Sequence, residues 1–245
     1  MILKKHLGQH FLNSPPLLEY EATLANPKGR KTLEIGPGDG RLTKFLLAQK
    51  PSSLTVVEKD SRWAEHIRKT IPEVKVIEGD FLEQENLHAE VIVGNIPYYI
   101  SSPILFRLAE MEFRHAVLMV QLEFAKRMVA EPKTSEYGRL SVTSQLYFDI
   151  KLLKKVSRGA FTPPPEVDSA IILIRKKPFK MEEGLDKLIR IIFQHKNQNI
   201  RKALKHGGIE IPKELELPQK RARELSKEEI LLLYENKPLR ALLQS

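Results

Sequence analysis

The 245-residue chain contains no cysteine. Disulfides and thiolate metal sites are therefore excluded, and the composition fits a reducing compartment. The opening residues, Met-Ile-Leu-Lys-Lys-His, lack the apolar core of a secretory signal. No apolar run approaches the roughly 20 residues that a membrane span needs. These absences point to a soluble, cytoplasmic protein without a membrane partner. Acidic residues are also under-represented: 31 Asp and Glu face 40 Lys and Arg, for a net charge of +9. Residues 176–245 hold 16 basic and 10 acidic side chains, so +6 of the excess sits there. Between Lys187 and His206 there are six Lys or Arg and no acid. That asymmetry suggests a polyanionic partner; the competing reading is a solvated helix face in a charge-rich protein.

What is present begins with a core. Hydrophobic residues make up 42% of the chain, enough for one large domain or one domain plus a small one. The organising stretch is Lys31 to Gly40, Lys-Thr-Leu-Glu-Ile-Gly-Pro-Gly-Asp-Gly. Thr32, Leu33 and Ile35 suit a buried strand, the glycines a turn, and residues 41–48 a helix. An α/β sheet presents a nucleotide pocket in this way, at the carboxyl end of its first strand. The spacing Gly-x-Gly-x-Gly is one residue short of the dinucleotide fingerprint. Glu34 would repel a pyrophosphate but not a cationic ligand. S-adenosylmethionine, with its sulfonium and ammonium groups, suits the loop better than NAD.

Further along, residues 1–14 read as a basic arm, followed by a helix that Pro15 and Pro16 open and that runs to about residue 25. Residues 54–58, 74–78, 90–94 and 115–120 read as strands, with helices over 61–71, from Ser102, and over 121–130. Residues 147–156 and 169–175 read as closing strands. Strand–helix alternation implies a mainly parallel sheet covered on both faces. Beyond Pro178 the pattern is helical, with a capping-box signature at Ser226-Lys-Glu-Glu229. The expected fold is therefore α/β, a Rossmann-like domain over residues 1–177 followed by a small all-helical domain over 178–245.

Gly36, Glu58, Asp80 and Asn95 then fall at successive strand ends along one sheet edge. A carboxylate after the second strand can accept from a ribose diol, and one after the third from the exocyclic amine of adenine. Asn95-Ile96-Pro97-Tyr98 is the most specific stretch. The exocyclic amine of a base is a poor nucleophile because its lone pair is delocalised. Methyl transfer needs that nitrogen held in line, its hydrogens accepted by oxygens. The Asn95 side chain and a backbone carbonyl beside Pro97 supply acceptors, Pro97 stiffens the turn, and Tyr98 stacks on the base. Positioning and electrostatics carry such a reaction without a strong base. Phe161, in a proline-rich loop, is expected to be a rigid exposed stacking platform, with a core Phe as the alternative.

Six ordered motifs resemble the ribosomal-RNA adenine dimethyltransferases: Gly8-Gln-His-Phe-Leu12, Glu34-Ile-Gly-Pro-Gly-Asp-Gly40, Gly79-Asp80, Asn95-Ile-Pro-Tyr98, Tyr137-Gly-Arg-Leu-Ser141 and Phe161-Thr-Pro-Pro-Pro-Glu-Val-Asp-Ser169. The resemblance covers roughly residues 4–206. It implies S-adenosylmethionine contacts at His10, Leu12, Gly36, Gly38, Glu58, Asp80 and Asn95. It implies a target adenine held by Asn95 and Tyr98 and stacked on Phe161, and dimethylation of two adjacent adenines near the 3′ end of small-subunit rRNA. The implied partner is that rRNA, in an immature small subunit, with the protein acting as a monomer. His10 stands where bacterial members usually have Asn, and residues 121–127 look more like archaeal members. Glu166 replaces a common basic residue, and Lys196-Asn-Gln198 is less basic than the usual run. The basic segment places Lys196, Arg201, Lys202 and Lys205 toward RNA, with Ile191, Ile192 and Phe193 in the core and Lys4 and Lys5 adding from the arm. His10 is not expected to ligate a metal, since no Cys/His/Asp cluster surrounds it. A binding-dominated ribosome-assembly factor and a DNA adenine methyltransferase are the alternatives.

Overall fold

Short apolar strands alternating with amphipathic helices build the sheet. The computed structural model describes residues 10–244, so Lys4 and Lys5 lie outside the described residues. The first unit takes Met1–Ala125 and Phe148–Lys176. Its elements are β1 (Phe11–Leu12), α1 (Pro15–Ala25), β2 (Lys31–Ile35), α2 (Arg41–Ala48), β3 (Ser53–Glu58), α3 (Ser61–Thr70), β4 (Lys75–Glu78), β5 (Val91–Asn95), α4 (Ser101–Glu110), β6 (His115–Gln121), β7 (Phe148–Val156), β8 (Phe161–Thr162) and β9 (Ser169–Lys176). Seven strands form one sheet in the order β4-β3-β2-β5-β6-β9-β7. The strands from β4 to β6 are mutually parallel, and β9 and β7 close the sheet antiparallel.

Local chemistry explains these elements. After Lys31, every residue of β2 is buried, as a central parallel strand covered on both faces requires. Pro15 and Pro16 open α1, where their missing N–H groups are no loss. Its buried stripe is Leu18, Glu21, Ala22 and Ala25, a helical spacing that faces one core. The Asp60 side chain accepts the Arg62 amide at 3.1 Å and caps α3. The chain leaves β2 toward β3 and β4 on one side, then returns to β5 and β6 on the other. The carboxyl ends of β2 and β5 therefore flank a topological switch point, where such sheets bind ligands.

The second unit takes Lys126–Tyr147 and Lys177–Ser245. Helix α5 (Leu122–Met128) leads into it, and α6 (Arg139–Tyr147), α7 (Glu183–Gln194), α8 (Ile200–His206), α9 (Lys227–Glu235) and α10 (Lys237–Gln244) make it helical. Ser226 and Glu229 cap α9 reciprocally. Where the sequence suggests a single cut after residue 177, contacts group 126–147 with the C-terminal helices. Helix α6 explains why. It buries Ser141, Thr143 and Ser144 beside Val142 and Leu146, so no apolar stripe marks it. Ser144 Oγ donates to the Leu140 and Met128 carbonyls at 2.6 and 3.0 Å, satisfying a buried hydroxyl. The helix expected over 121–130 is shorter, because β6 extends through Gln121 and α5 ends at Met128.

Candidate active site

Parallel register brings the expected strand ends together. Ile35 pairs with Val57 and with Gly94, and Glu58 pairs with Glu78. Gly36, Glu58, Gly79 and Asn95 therefore share one edge, around a cavity of about 130 Å³. His10, Leu12, Gly36, Gly38, Glu58 and Asn95, each expected to touch cofactor, line it. Gly36 has φ +64° and Gly38 φ +57°, conformations that side-chain-bearing residues resist. A Cβ on Gly36 would enter open space, whereas one on Gly38 would overlap the Phe11 ring. The Gly36 amide donates to Val57 O at 2.9 Å and the Gly38 amide to Glu58 Oε2 at 3.0 Å. Glu58 Oε1 accepts the Asp60 amide at 2.8 Å. Burial raises the Glu58 carboxyl above its usual range, against those two amides.

Asp80 stands beside this wall, between two residues that line it. Gly79 and Phe81 line the cavity, and Asp80 does not. Its Oδ1 accepts the Leu82 amide at 3.0 Å and caps the short helical turn Phe81–Glu83, while Oδ2 pairs with Lys59 at 2.7 Å. Burial pushes this carboxyl up, but Lys59 and the Leu82 amide outweigh it and hold it below its usual range. Each of these oxygens keeps a lone pair beyond its local partner.

A second, smaller cavity of about 30 Å³ lies beside the first. Asn95, Pro97, Tyr98 and Phe161 line it with His10, Met119 and Ser169. Tyr98 donates to or accepts from Ser169 Oγ at 2.7 Å, and its ring lies alongside His10 at a 23° interplanar angle. His10 Nδ1 sits 2.8 Å from the Pro163 carbonyl, which can only accept. Nδ1 therefore carries a hydrogen and donates it. His10, Asn95 and Pro97 line both cavities. Phe161 is not the exposed platform expected. It is 6% exposed and packs in the core with Leu12, Met119 and Val156. The reason is the two-residue β8, which pairs with β1 and sets Phe161 opposite Leu12. One part of its ring still meets the small cavity.

Two buried acids complete the site, and no sequence motif marks the first. Glu21 of α1 and Glu34 of β2 are both fully buried. Burial pushes each carboxyl up to about 8, and the Glu34 charge adds to the effect at Glu21. Thr43 tempers the rise at Glu34, and the Asn95 amide that at Glu21. Glu34 Oε2 and both Glu21 oxygens have no hydrogen bond of normal geometry, and neither does Asn95 Oδ1. The signal for Glu21 was its place in the stripe 18, 21, 22, 25: a carboxylate at a core position.

The second unit's basic segment separates into two parts. Ile191, Ile192 and Phe193 are core, as expected. Lys202 and Lys205 are exposed and Lys196 is half-buried. Arg201 is half-buried. Its guanidinium donates to the Pro212 carbonyl at 3.0 Å and to Leu215 O, so it clamps the loop after α8.

The larger cavity can hold an adenosine-bearing cation. Glu34 offers an unpartnered carboxylate oxygen, Gly36 leaves room where a Cβ would stand, and Glu58 offers acceptors. Comparisons with known proteins agree. Residues 2–237 match the family described as ribosomal RNA adenine dimethylase. The chain is 41% identical to the ribosomal RNA small subunit methyltransferase A of Chlorobium limicola, over 96% of this chain and 94% of that one. It is 40% identical to a probable ribosomal RNA small subunit methyltransferase A of Thermococcus gammatolerans, over 82% of this chain and 74% of the relative. A crystal structure of a dimethyladenosine transferase from Plasmodium falciparum superposes with a TM-score of 0.81 at 28% identity, covering 94% of this chain and 98% of that one. The 23S rRNA methyltransferase ErmE superposes with a TM-score of 0.68 at 27% identity, over 96% of this chain and all of that one.

Proposed function

This chain belongs to the ribosomal RNA adenine dimethylase family, and we propose that it transfers methyl groups from S-adenosylmethionine to the N6 amines of two adjacent adenines near the 3′ end of small-subunit rRNA, during small-subunit biogenesis. One observation carries the reading: His10, Asn95 and Pro97 line both cavities, so a donor in the larger and a base in the smaller would meet at Asn95.

The residues divide the work. Glu58 accepts from the cofactor's ribose, Gly36 and Gly38 let backbone approach it, and Glu34 complements its positive charge. Leu12 and His10 close the wall. When bound, S-adenosylmethionine supplies an electrophilic methyl on sulfonium. Asn95 Oδ1 and a backbone carbonyl beside Pro97 accept the hydrogens of the target amine. That orients the nitrogen lone pair and stabilises the charge it gains. Tyr98 and the inner part of Phe161 hold the base by its faces, with stacking worth roughly 1 to 3 kcal/mol per base. Lys202 and Lys205, with Lys196 beside them, contact RNA phosphates. Asp80 acts from behind the wall, holding the Gly79–Phe81 turn.

The Asn95-Pro97-Tyr98 turn at the meeting point favours turnover over assembly binding alone. Incubation with labelled cofactor and immature small subunits, naked rRNA or DNA, followed by mapping of the label, tests the reading. Label on two adjacent adenines of rRNA is the expected result. Label on DNA, or stoichiometric subunit binding without label, refutes it.

A further inference from the structure

Glu21 is an expensive residue for its place. It occupies a core position of α1 at 0% exposure, and neither oxygen makes a hydrogen bond of normal geometry. An unpaired buried carboxyl destabilises a fold, and Leu or Met would fill the same stripe. The Asn95 amide is the donor that favours its ionised form. On the same side chain, Asn95 Oδ1 is buried without a partner. An Asn amide has two orientations related by a half-turn, and only the one with Oδ1 toward an amine can accept from it. We propose that Glu21 is the positioning residue for Asn95: it engages the Nδ2 hydrogens and so leaves Oδ1 unpartnered for the target amine. This inference rests on the function proposed above.

The two protonation states of Glu21 act differently. Ionised, it accepts from Nδ2 and holds the productive orientation. Protonated, it can donate through its hydroxyl as well as accept through its carbonyl oxygen, and so holds either orientation. Charged or titratable groups on the elements around α1 include Glu34 from β2, His115 from β6 and Lys154 from β7, together with Arg41 and Lys44 of α2, which packs against it. His115 Nε2 bonds the Ala25 carbonyl, and Lys154 lies over the Tyr20 ring. Of these, Glu34 is the one whose charge acts on Glu21. The productive orientation therefore gains population as pH rises through about 8.

The test compares wild type with Glu21→Gln and Glu21→Met under single turnover, from pH 6.5 to 9. Glu21→Gln can present either a donor or an acceptor, so the rate at pH 8.5 should fall roughly tenfold, the equivalent of one net hydrogen bond of about 1.4 kcal/mol. The rise of rate with pH should disappear. Glu21→Met should lose at least as much. Affinity for S-adenosylhomocysteine, which lacks the sulfonium charge, should not change by calorimetry. In the unliganded protein, the side-chain amide resonances of Asn95 should titrate in wild type and not in Glu21→Gln.

Stability separates positioning from packing. The folded state keeps a proton on Glu21 between about pH 4.5 and 8 that the unfolded chain gives up, so wild-type stability falls as pH rises through that window. Glu21→Gln removes its share of that slope and leaves the share of Glu34, and its melting temperature above pH 8 should exceed that of wild type. A variant that is more stable but slower supports the proposal. Wild-type rate and pH profile in both variants overturn it, as does a rate loss accompanied by a lower melting temperature in both. Wild-type protein that labels no adenine rejects the proposed function itself, whereas full activity of both variants rejects only this role.

Discussion

Gly38→Ala and Gly36→Ala together measure what the glycine turn does. Both positions have positive φ, +57° and +64°, so each alanine pays the left-handed backbone penalty of roughly 1 to 2 kcal/mol. Gly36→Ala adds nothing to that in the folded protein, because its Cβ meets no atom within 4 Å. Gly38→Ala adds a clash with Phe11 Cε1. The Phe11 ring cannot simply swing aside. It packs edge-on against Trp63 at 5.3 Å between centroids, and Arg41 lies over it at 6.0 Å. Overpacking of that kind typically adds about 1 to 3 kcal/mol. The shift also pulls the Gly38 amide from Glu58 Oε2.

Urea unfolding should therefore show Gly38→Ala less stable than Gly36→Ala by about 1 to 3 kcal/mol. Cofactor binding should separate them differently. The Gly36 Cβ projects into open space at the cavity wall, so Gly36→Ala should weaken S-adenosylmethionine at least tenfold by calorimetry, roughly the 1.4 kcal/mol equivalent, despite its smaller loss of stability. Equal stability losses would refute the Phe11 contact. Unchanged affinity in Gly36→Ala would refute the placement of the cofactor over the turn.

Asn95→Ala should lower turnover roughly a hundredfold, as loss of a transition-state hydrogen-bond acceptor does; wild-type turnover would sink the mechanism. Asp80→Ala removes the Lys59 pair and the turn cap rather than a wall residue. It should weaken the cofactor less than Glu58→Gln does, and the reverse order in calorimetry would restore Asp80 to direct contact. Lys202→Glu with Lys205→Glu should weaken subunit binding and reduce its log–log salt slope by roughly 0.7 to 0.9 per lost contact. Arg201→Ala, which frees the carbonyls of Pro212 and Leu215, should instead lower the melting temperature with little change in slope. An altered slope in Arg201→Ala would show that it meets phosphate after all.

The sequence reveals the parts of this molecule that depend on local pattern. The four strand ends read at Gly36, Glu58, Asp80 and Asn95 were legible because parallel strands align their carboxyl ends whatever the helices between them do. What escaped depends on partners distant in the chain. Phe161 is buried because a two-residue strand pairs it with Leu12, about 150 residues earlier; no propensity registers a strand that short. Helix α6 escaped because its buried face carries the hydroxyls of Ser141, Thr143 and Ser144, those of Ser141 and Ser144 satisfied by carbonyls. Arg201 reads as a surface charge until the loop ending at Leu215 folds back over it. Asp80 reads as a ligand because a strand-end acid can equally cap the next turn, and here it does.

Charge is distributed in this chain by burial. The surplus of +9 includes exposed side chains such as Lys202 and Lys205, while Glu21, Glu34 and Glu58 are buried at or behind one cavity. A carboxylate in a basic protein gains most from the surrounding charge when it is near the surface cations. These three are instead placed where desolvation dominates and pushes each of them up. Such an arrangement discriminates between ligands by sign. A pyrophosphate in that cavity would push the carboxyls up further and gain no countercharge from them. A sulfonium and an ammonium group would relieve Glu34 and Glu58, the two that line the cavity, and lower the pH at which they ionise. On the function proposed above, the energy lost by burying the carboxyls would become selectivity for a cationic adenosine, while the outer surface would stay free to attract a polyanion. Two ligands of opposite charge can then be drawn to one protein without competing for one site.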